Sequence, residues 1–185
     1  EIMPSLVGSE MCIRDSRRAG GGVIMKPRYY LALYKGHRDG SGWRVWAARF
    51  TDGLTRILTR GRYSHCEIAV RLPETATGQE YDCYSASIRD GGVRCKVMPL
   101  PEAKWDLIQM ESTSEAHERL QRVWAETQGQ GYDLRGALGI AFGLRHNRRR
   151  WFCSEWCAAA LGLPAGWRWS PNDLAEMARI LNKLL

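Results

Sequence analysis

Four short runs of β-prone residues, separated by turn signals, constrain the fold of this chain more than any other feature. The runs cover residues 64–72, 80–88, 93–100 and 105–110, and an aromatic and apolar run at 28–34 precedes them. Alternation with polar turns, above all RDGG at 89–92, is typical of antiparallel strands joined by hairpins. We therefore predict a central antiparallel sheet, or a partial barrel, built from these segments.

Helical patterns flank the predicted strands. Phe50, Leu54, Ile57 and Leu58 follow helical spacing ahead of Gly61, which is a candidate for the end of that helix. After the strands, Ser112 and Glu115 match a capping box, and one helical face follows. That face comprises Ala116, Leu120, Val123, Trp124 and Thr127.

Two further helices are predicted near the end of the printed sequence. The first covers 151–163, and the second covers 171–184 behind the N-cap and first-turn pair Ser170 and Pro171. A glycine-rich segment at 132–144, either a loosely wound helix or a buried connection, and a basic loop at 145–150 precede them. A helix, then strands, then helices indicate an α+β fold packed in layers.

Length and composition favour one soluble domain over 25–185. The chain has 185 residues, a net charge of +7 and six cysteines. It contains no CxxC pair, no secretory signal and no apolar run long enough to span a bilayer, so we expect a reducing compartment. The predicted domain does not include residues 1–24, because SLVGSEMCIRDS at 5–16 resembles a translated sequencing-adapter remnant. The alternative for 1–24 is a disordered extension.

Cys153 is the candidate nucleophile. It opens a predicted helix, where the helix dipole and unpaired backbone N–H groups favour the thiolate form. The same N–H groups are suited to holding an oxyanion. The alternative is a buried structural cysteine at a helix start.

A thiol nucleophile needs a base, and His65 is the strongest candidate among the four histidines. It opens an apolar strand, where its ring can project from a rigid edge. His37 lies in a glycine-rich loop, His117 is expected to be exposed in a first helical turn, and His146 is surrounded by arginines. The alternative for His65 is a strand-end histidine bonded to a loop carbonyl.

Several short motifs occur in an order that resembles a known family. They are YSHCEIAV, CYSASIRDGGVR, WDLI, GYDLRGALG, WFCSEWCAAALGL and WSPNDLAEM, and they span roughly 55–180. Together they resemble the permuted NlpC-like proteins of the papain-like thiol hydrolase superfamily, many of them phage-encoded or uncharacterised. The resemblance implies a circularly permuted papain-like fold, with the histidine strand ahead of the cysteine helix.

The resemblance also implies roles for individual residues. Cys153 is the nucleophile and His65 is the base that deprotonates it. A third polar group should orient the imidazole, and Glu67 is ranked first because it shares a strand face with His65. The alternative for Glu67 is an exposed carboxylate or an arginine partner. The neighbouring strand offers other candidates: Ser85, ranked next, and Asp82, Tyr84 and Ser87.

No metal or cofactor is expected. Cys157 shares a helical face with Cys153, but a zinc site needs two more ligands, and His65 and Cys66 point to opposite strand faces. Core packing is therefore predicted for Cys157, and also for Cys66 if His65 faces the cleft. The basic loop at 145–150 borders the predicted site and is suited to an anionic substrate, although no nucleic-acid motif accompanies it. The segment GWRWSP at 166–171 either walls the cleft or caps the core.

These observations predict a cysteine hydrolase that cleaves an amide of a peptide or of peptidoglycan. The expected partner is a peptide, peptidoglycan or another anionic polymer, and the expected location is the bacterial cytoplasm or a virion. Two alternatives stay open: a lipid-directed thiol acyltransferase or phospholipase, and an inactive phage structural or interaction module.

Overall fold

The structure, a computed structural model, describes residues 27–36, 53, 56, 61–139 and 149–184. One sheet contains the strands β1 (Tyr29–Tyr34), β2 (His65–Arg71), β3 (Tyr81–Ser87), β4 (Gly92–Met98), β5 (Trp105–Met110), β6 (Gly131–Tyr132) and β7 (Arg150–Trp151). Helices of the described ranges are α1 (Ser114–Thr127), α2 (Leu134–Gly139), α3 (Cys153–Leu161) and α4 (Pro171–Leu184), with a 3-10 turn over Gly166–Arg168.

The sheet is curled, and its strand order is β5-β1-β2-β3-β4-β6-β7. The five long strands pair antiparallel, whereas the two-residue strands β6 and β7 pair parallel. β1 lies between β2 and β5, so that Ala32 pairs with Glu67 on one side and with Leu107 on the other. β2 lies between β1 and β3, so it is an interior strand with neighbours that restrict where its side chains lie.

The two faces of the sheet bury different sets of side chains. The face covered by helices contains the larger core, to which β1, β2 and β3 contribute Leu31, Leu33, Cys66, Ile68 and Tyr84 and α3 contributes Trp156, Cys157 and Ala158. The opposite face contains a smaller cluster that includes Ala32, Tyr34, Ala69, Cys83 and Trp105. Because strand side chains alternate between faces, His65 and Glu67 lie on the side of Ala69, opposite to Cys66.

Helix α3 ends in a Schellman motif. Gly162 adopts the left-handed conformation, with φ 78°. Its N–H bonds to Ala159 C=O at 3.0 Å, and the N–H of Leu163 bonds to Ala158 C=O at 2.9 Å. Carbonyls in the last turn of the helix are thereby satisfied.

The predicted α+β class is confirmed, with a curled sheet that packs against helices, and the five long strands lie within the predicted segments or a residue from them. The central strands pair antiparallel as predicted, and the sheet as a whole is mixed because β7 adds a parallel pair at one edge. Strand pairing of Arg150 and Trp151 also delays the start of α3 to Cys153. The circular permutation of a papain-like fold stays a prediction.

The caps of the other helices follow the sequence with one correction. The N-cap of α1 is Thr113 rather than Ser112, since the Thr113 side chain accepts from the Ala116 N–H. In α4, Ser170 Oγ accepts from the Asp173 N–H at 3.2 Å, and Asp173 accepts from the Ser170 N–H at 2.9 Å. This reciprocal pair confirms the predicted start of α4.

Some predictions lie outside the described residues. They include the extension at 1–24, most of the basic loop at 145–150 and the second part of the 132–144 segment. Of the helix predicted from Phe50 to Leu58, only Gly53 and Arg56 are described, and both are helical. Among the helices that the structure describes, none is long and apolar enough to cross a bilayer.

Candidate active site

His65 and Glu67 form a buried pair on one face of β2. His65 Nε2 lies 3.0 Å from Glu67 Oε1. The side chains are two residues apart on an extended strand, which places them side by side on one face. Relative exposures are 8% for His65 and 1% for Glu67, so the pair interacts with little competition from water. Because Nε2 is bonded to the carboxylate, Nδ1 is the ring nitrogen left for another partner.

Glu67 is also bound by an arginine from β4. Arg94 reaches both carboxylate oxygens, with Nη2 2.7 Å from Oε1 and Nη1 2.9 Å from Oε2. The same guanidinium donates to Cys83 C=O and to Asp90 Oδ2. Burial favours the neutral acid, but the bonds from His65 and Arg94 outweigh it and lower the pKa of Glu67 to about 2. The carboxylate is therefore ionised beside the imidazole at neutral pH.

Cys153 is the first residue of α3. The first intrahelical bond joins Trp156 N–H to Phe152 C=O, so the N–H groups of Cys153 and Ser154 precede the ladder. Glu155 reaches back and accepts from the Phe152 N–H, as the third residue of a capping box does. The start of the helix is thus fixed with its positive dipole end beside the Cys153 sulfur.

The sulfur of Cys153 and the imidazole of His65 lie within hydrogen-bonding contact. Burial alone lowers the pKa of His65, but the charge and hydrogen bond of Cys153, together with Glu67, raise it to about 9. The pKa of Cys153 is lowered well below its usual range, chiefly by a hydrogen bond from the Cys66 thiol and further by His65, against the effect of burial. The raised pKa of His65 and the lowered pKa of Cys153 both favour a thiolate–imidazolium pair.

Cys66 reaches the same sulfur from the helix-covered face of the sheet, where it packs in one cluster with Cys153. The pairing of β2 with β3 extends only from Arg71↔Tyr81 to Ile68↔Tyr84. Beyond it, Ser85 Oγ donates to Cys66 C=O at 2.8 Å, and the Cys66 N–H bonds to the Cys153 sulfur. Burial and its sulfur neighbours raise the pKa of Cys66, so Cys66 is a neutral donor to the Cys153 thiolate.

The segment that enters β2 is held by α4 and by β5. The Asn172 side chain accepts from the Tyr63 N–H and donates to the Tyr63 C=O, both at 3.0 Å. The hydroxyl of Tyr63 donates to Asp106 at 2.6 Å. On the other side, the Trp105 ring meets the His65 ring edge-on, with centroids 6.3 Å apart. These contacts fix the position of His65 at the start of its strand.

The structure brings together Cys153, His65 and Glu67, the three residues predicted for the site. The other candidates for the third position lie elsewhere: Ser85 bonds to Cys66 C=O, Ser87 accepts from the Asp90 N–H, and Tyr84 stacks on Trp156. Asp82 is half-buried on β3, where burial raises its pKa.

His117 was expected to be exposed, and this is wrong. It is half-buried on α1, and its Nδ1 is bonded to the hydroxyl of Tyr29. That contact arises because α1 packs over the start of β1, which local sequence does not reveal. His37 and His146 lie outside the described residues.

Arg94 and Cys66 are the neighbours of the site that sequence reasoning missed. Arg94 belongs to the GGVR segment, and the reading of Glu67 as an arginine partner holds together with its contact to His65. Arg94 follows the RDGG turn on β4, and β3 separates that strand from the histidine strand, so local sequence does not place Arg94 beside Glu67. For Cys66 the sequence predicts core packing, and this packing holds together with its hydrogen bond to Cys153, which lies on the same helix-covered face.

Cys157 packs in the main core, fully buried. Across the described parts of the chain, no group of three histidine, cysteine or acidic side chains has the geometry to hold a metal ion. In GWRWSP, Trp169 packs against the main core and its Nε1 donates to Pro164 C=O, whereas Trp167 is partly exposed. Trp169 therefore caps the core.

Fold and site together define an α+β protein in which a curled sheet presents a histidine to a cysteine at a helix start. Comparisons of the chain with protein-family models, curated proteins and solved structures find no match.

Proposed function

We propose that this protein is a cysteine hydrolase that cleaves an amide bond through an acyl-enzyme on Cys153. The observation that carries the proposal is the double engagement of His65, bonded through Nε2 to an ionised Glu67 and in contact with the Cys153 sulfur. An imidazole held in this way has a defined orientation and a stabilised cationic form. Cys153, His65 and Glu67 then act as nucleophile, base and orienting group.

The reaction proceeds in two halves. In the first, the Cys153 thiolate forms a C–S bond with the substrate carbonyl, and the tetrahedral intermediate expels an amine that takes its proton from His65. In the second, His65 removes a proton from water, the resulting hydroxide attacks the thioester, and Cys153 leaves as thiolate. Backbone N–H groups at the start of α3 are suited to the developing oxyanion.

The amide substrate class rests on the resemblance to permuted NlpC-like proteins, for which a peptide or peptidoglycan fragment is the expected substrate. The positive charge of the chain, +7, suits an anionic polymer because it increases the local concentration of such a substrate. Lipid esters and an inactive module are the competing outcomes of the experiments below.

The first experiment compares Cys153 with Cys95 as targets of iodoacetamide. Cys95 is more exposed than the buried Cys153, so access alone predicts faster labelling of Cys95. A preformed thiolate predicts the reverse, with Cys153 labelled at least about tenfold faster at pH 7, since only the thiolate attacks. Labelling of Cys153 that is no faster than that of Cys95 contradicts the proposal.

The second experiment identifies the bond that is cleaved. Peptidoglycan fragments and phospholipid vesicles are incubated in parallel, and amine release is measured against fatty-acid release. We expect amine release that is abolished in Cys153→Ser and retained in the control Cys95→Ser. Activity should fall as the pH rises through about 9, where His65 loses its proton. Fatty-acid release alone would establish the lipid-directed alternative, and release of neither product would indicate an inactive module.

A further inference from the structure

The guanidinium of Arg94 binds Glu67, the same carboxylate that His65 contacts. It contacts both carboxylate oxygens, at 2.7 and 2.9 Å, and its side chain is itself largely buried. Two further donors are bonded to Cys83 C=O and to Asp90 at 2.9 and 3.0 Å. Asp90 in turn donates its N–H to Ser87 Oγ. Arg94 is therefore held in place from β3 and from the β3–β4 turn.

Bidentate geometry fixes the plane of a carboxylate as well as its position. One oxygen of Glu67, Oε1, accepts from both Arg94 and His65. A rotation of Glu67 that broke the His65 contact would break the Arg94 contacts as well. The orientation of the imidazole therefore depends on a residue from β4 that does not touch the sulfur.

Charge balance gives Arg94 a second effect. The proposed resting site holds a thiolate on Cys153, a cation on His65 and a carboxylate on Glu67, which sum to one net negative charge in a buried volume. Arg94 supplies the positive charge that brings this sum to zero. Without it, the cluster becomes neutral by binding one more proton, either on Cys153 or on Glu67.

The remaining titratable groups near these residues do not replace that charge. Burial raises the pKa values of Cys66, Cys83 and Cys157, so these thiols are neutral. Asp90 is partly exposed and bonds to Nε of the guanidinium, whereas Glu67 bonds to the two terminal nitrogens. The groups that face the site are therefore His65, Cys66 and Glu67 of β2, Cys83 of β3, Asp90 of the β3–β4 turn and Cys157 of α3.

We propose that Arg94 is a positioning residue of the site, which holds Glu67 ionised and oriented on His65 and neutralises the buried charge of the Cys153 thiolate. This inference rests on the proposed thiolate–imidazolium pair. It adds a fourth member to the site and a reason for the arginine in the GGVR segment.

The test measures the rate of Cys153 alkylation by iodoacetamide from pH 4 to 10 in the full chain. For Arg94→Met we expect the acid limb of the profile to move up by about one pH unit or more, with about tenfold slower labelling at the wild-type midpoint. Arg94→Gln removes the charge but keeps a hydrogen-bond donor, and it should give the same shift. It replaces Arg94→Met in the test if that variant does not fold. Arg94→Lys keeps the charge, so its acid limb stays near that of the wild type.

Two further variants separate charge balance from a general loss of structure. Arg71→Met removes an arginine of β2 that pairs with the exposed Glu74, and its profile should match that of the wild type. Glu67→Gln/Arg94→Met removes both charges of the pair, which leaves Cys153 and His65 neutral in sum, so its acid limb should return toward wild type. Thermal unfolding confirms that each variant is folded.

The outcomes distinguish this inference from the proposed function. If wild-type Cys153 is labelled no faster than Cys95, the proposed function fails, and the role of Arg94 fails with it. If wild-type Cys153 is activated but the profiles of folded Arg94→Met and Arg94→Gln coincide with that of Arg71→Met, only the role of Arg94 is overturned. A shift in Arg94→Met that persists unchanged in the double variant also contradicts the charge balance.

Discussion

Glu155 lies two residues after the nucleophile candidate and has the least favourable environment of the carboxylates near the site. It is 6% exposed, and burial raises its pKa to about 7, with the charge of Asp133 adding to the effect and the bond from the Phe152 N–H opposing it. Its contact with Phe152 fixes the first turn of α3. The start of the cysteine helix therefore changes charge near neutral pH.

The stability of the fold should decrease as Glu155 loses its proton. Its pKa in the folded state, about 7, is above the ordinary value of 4.5, so the folded state holds this proton more tightly than the unfolded state. The stabilisation is present below about pH 4.5 and is lost as the pH rises to about 7. In Glu155→Gln the side chain carries no proton to lose. From pH 5 to pH 8, the free energy of unfolding of this variant should therefore rise by about 2 kcal/mol relative to that of the wild type. Urea unfolding at the two pH values measures it, and a constant difference would contradict it.

Helix α3 depends at its end on a residue that tolerates positive φ. Gly162 has φ 78°, and a Cβ there would lie 3.0 Å from Arg119 Nε, the atom that donates to Ala160 C=O. A side chain at this position therefore strains the backbone and displaces an arginine that itself caps the helix. Gly129, which follows α1, has φ 76° with open space around it.

Gly162→Ala should destabilise the protein by about 1–2 kcal/mol, because an L-residue is disfavoured in the left-handed region and Arg119 must move. Gly129→Ala is the matched control, since it tests the backbone strain without a clash, and its cost should be smaller. Unfolding in urea compares the two variants. Equal losses would show that the contact with Arg119 contributes nothing.

At the scale of helices and strands, the sequence predicts the elements that have a local pattern of their own. Alternating apolar residues and turn residues indicate the five long strands. The helical spacing of apolar residues in α1 correctly predicts which side of the helix is buried. The parallel β6–β7 pair is not predictable in this way, because it joins residues 131–132 with 150–151 and leaves two-residue strands without a pattern of their own. The Thr113 cap differs from the prediction by one residue, within a run of hydroxyl residues that are all suited to capping.

In the candidate site, too, the residues set by local pattern are predictable and those set by long-range packing are not. The sequence predicts Cys153 and His65 because each opens a helix or strand, and it predicts Glu67 because this residue shares a strand face with His65. The contact of Arg94 with Glu67 depends on strand register, and the contact of Cys66 with Cys153 depends on how α3 packs on the sheet. Both are long-range properties of the fold. Local sequence therefore identifies the reactive groups but not the residues that tune them.

At the scale of the whole molecule, distant parts of the chain meet around the start of β2. Asn172, at the start of α4, bonds both backbone groups of Tyr63, which is fully buried two residues before His65. Gly61 packs so closely on Asn172 that a Cβ would lie 2.1 Å from its side chain. From the same helix, Arg179 donates to the hydroxyl of Tyr63. Helix α4 therefore acts as a support for the histidine strand.

Asn172→Ala should affect both stability and catalysis. It leaves the buried N–H and C=O of Tyr63 without their side-chain partner, which costs about 1–3 kcal/mol. It also releases the segment that positions His65, so kcat for the proposed hydrolysis should fall while substrate binding changes less. Asn182→Ala is the matched control, because it lies on the same helix and removes one exposed bond to Gln109 C=O; its effect should be below about 0.5 kcal/mol. If the two variants lose equal stability, or if Asn172→Ala loses stability with kcat unchanged, helix α4 is a packing element with no influence on the position of His65.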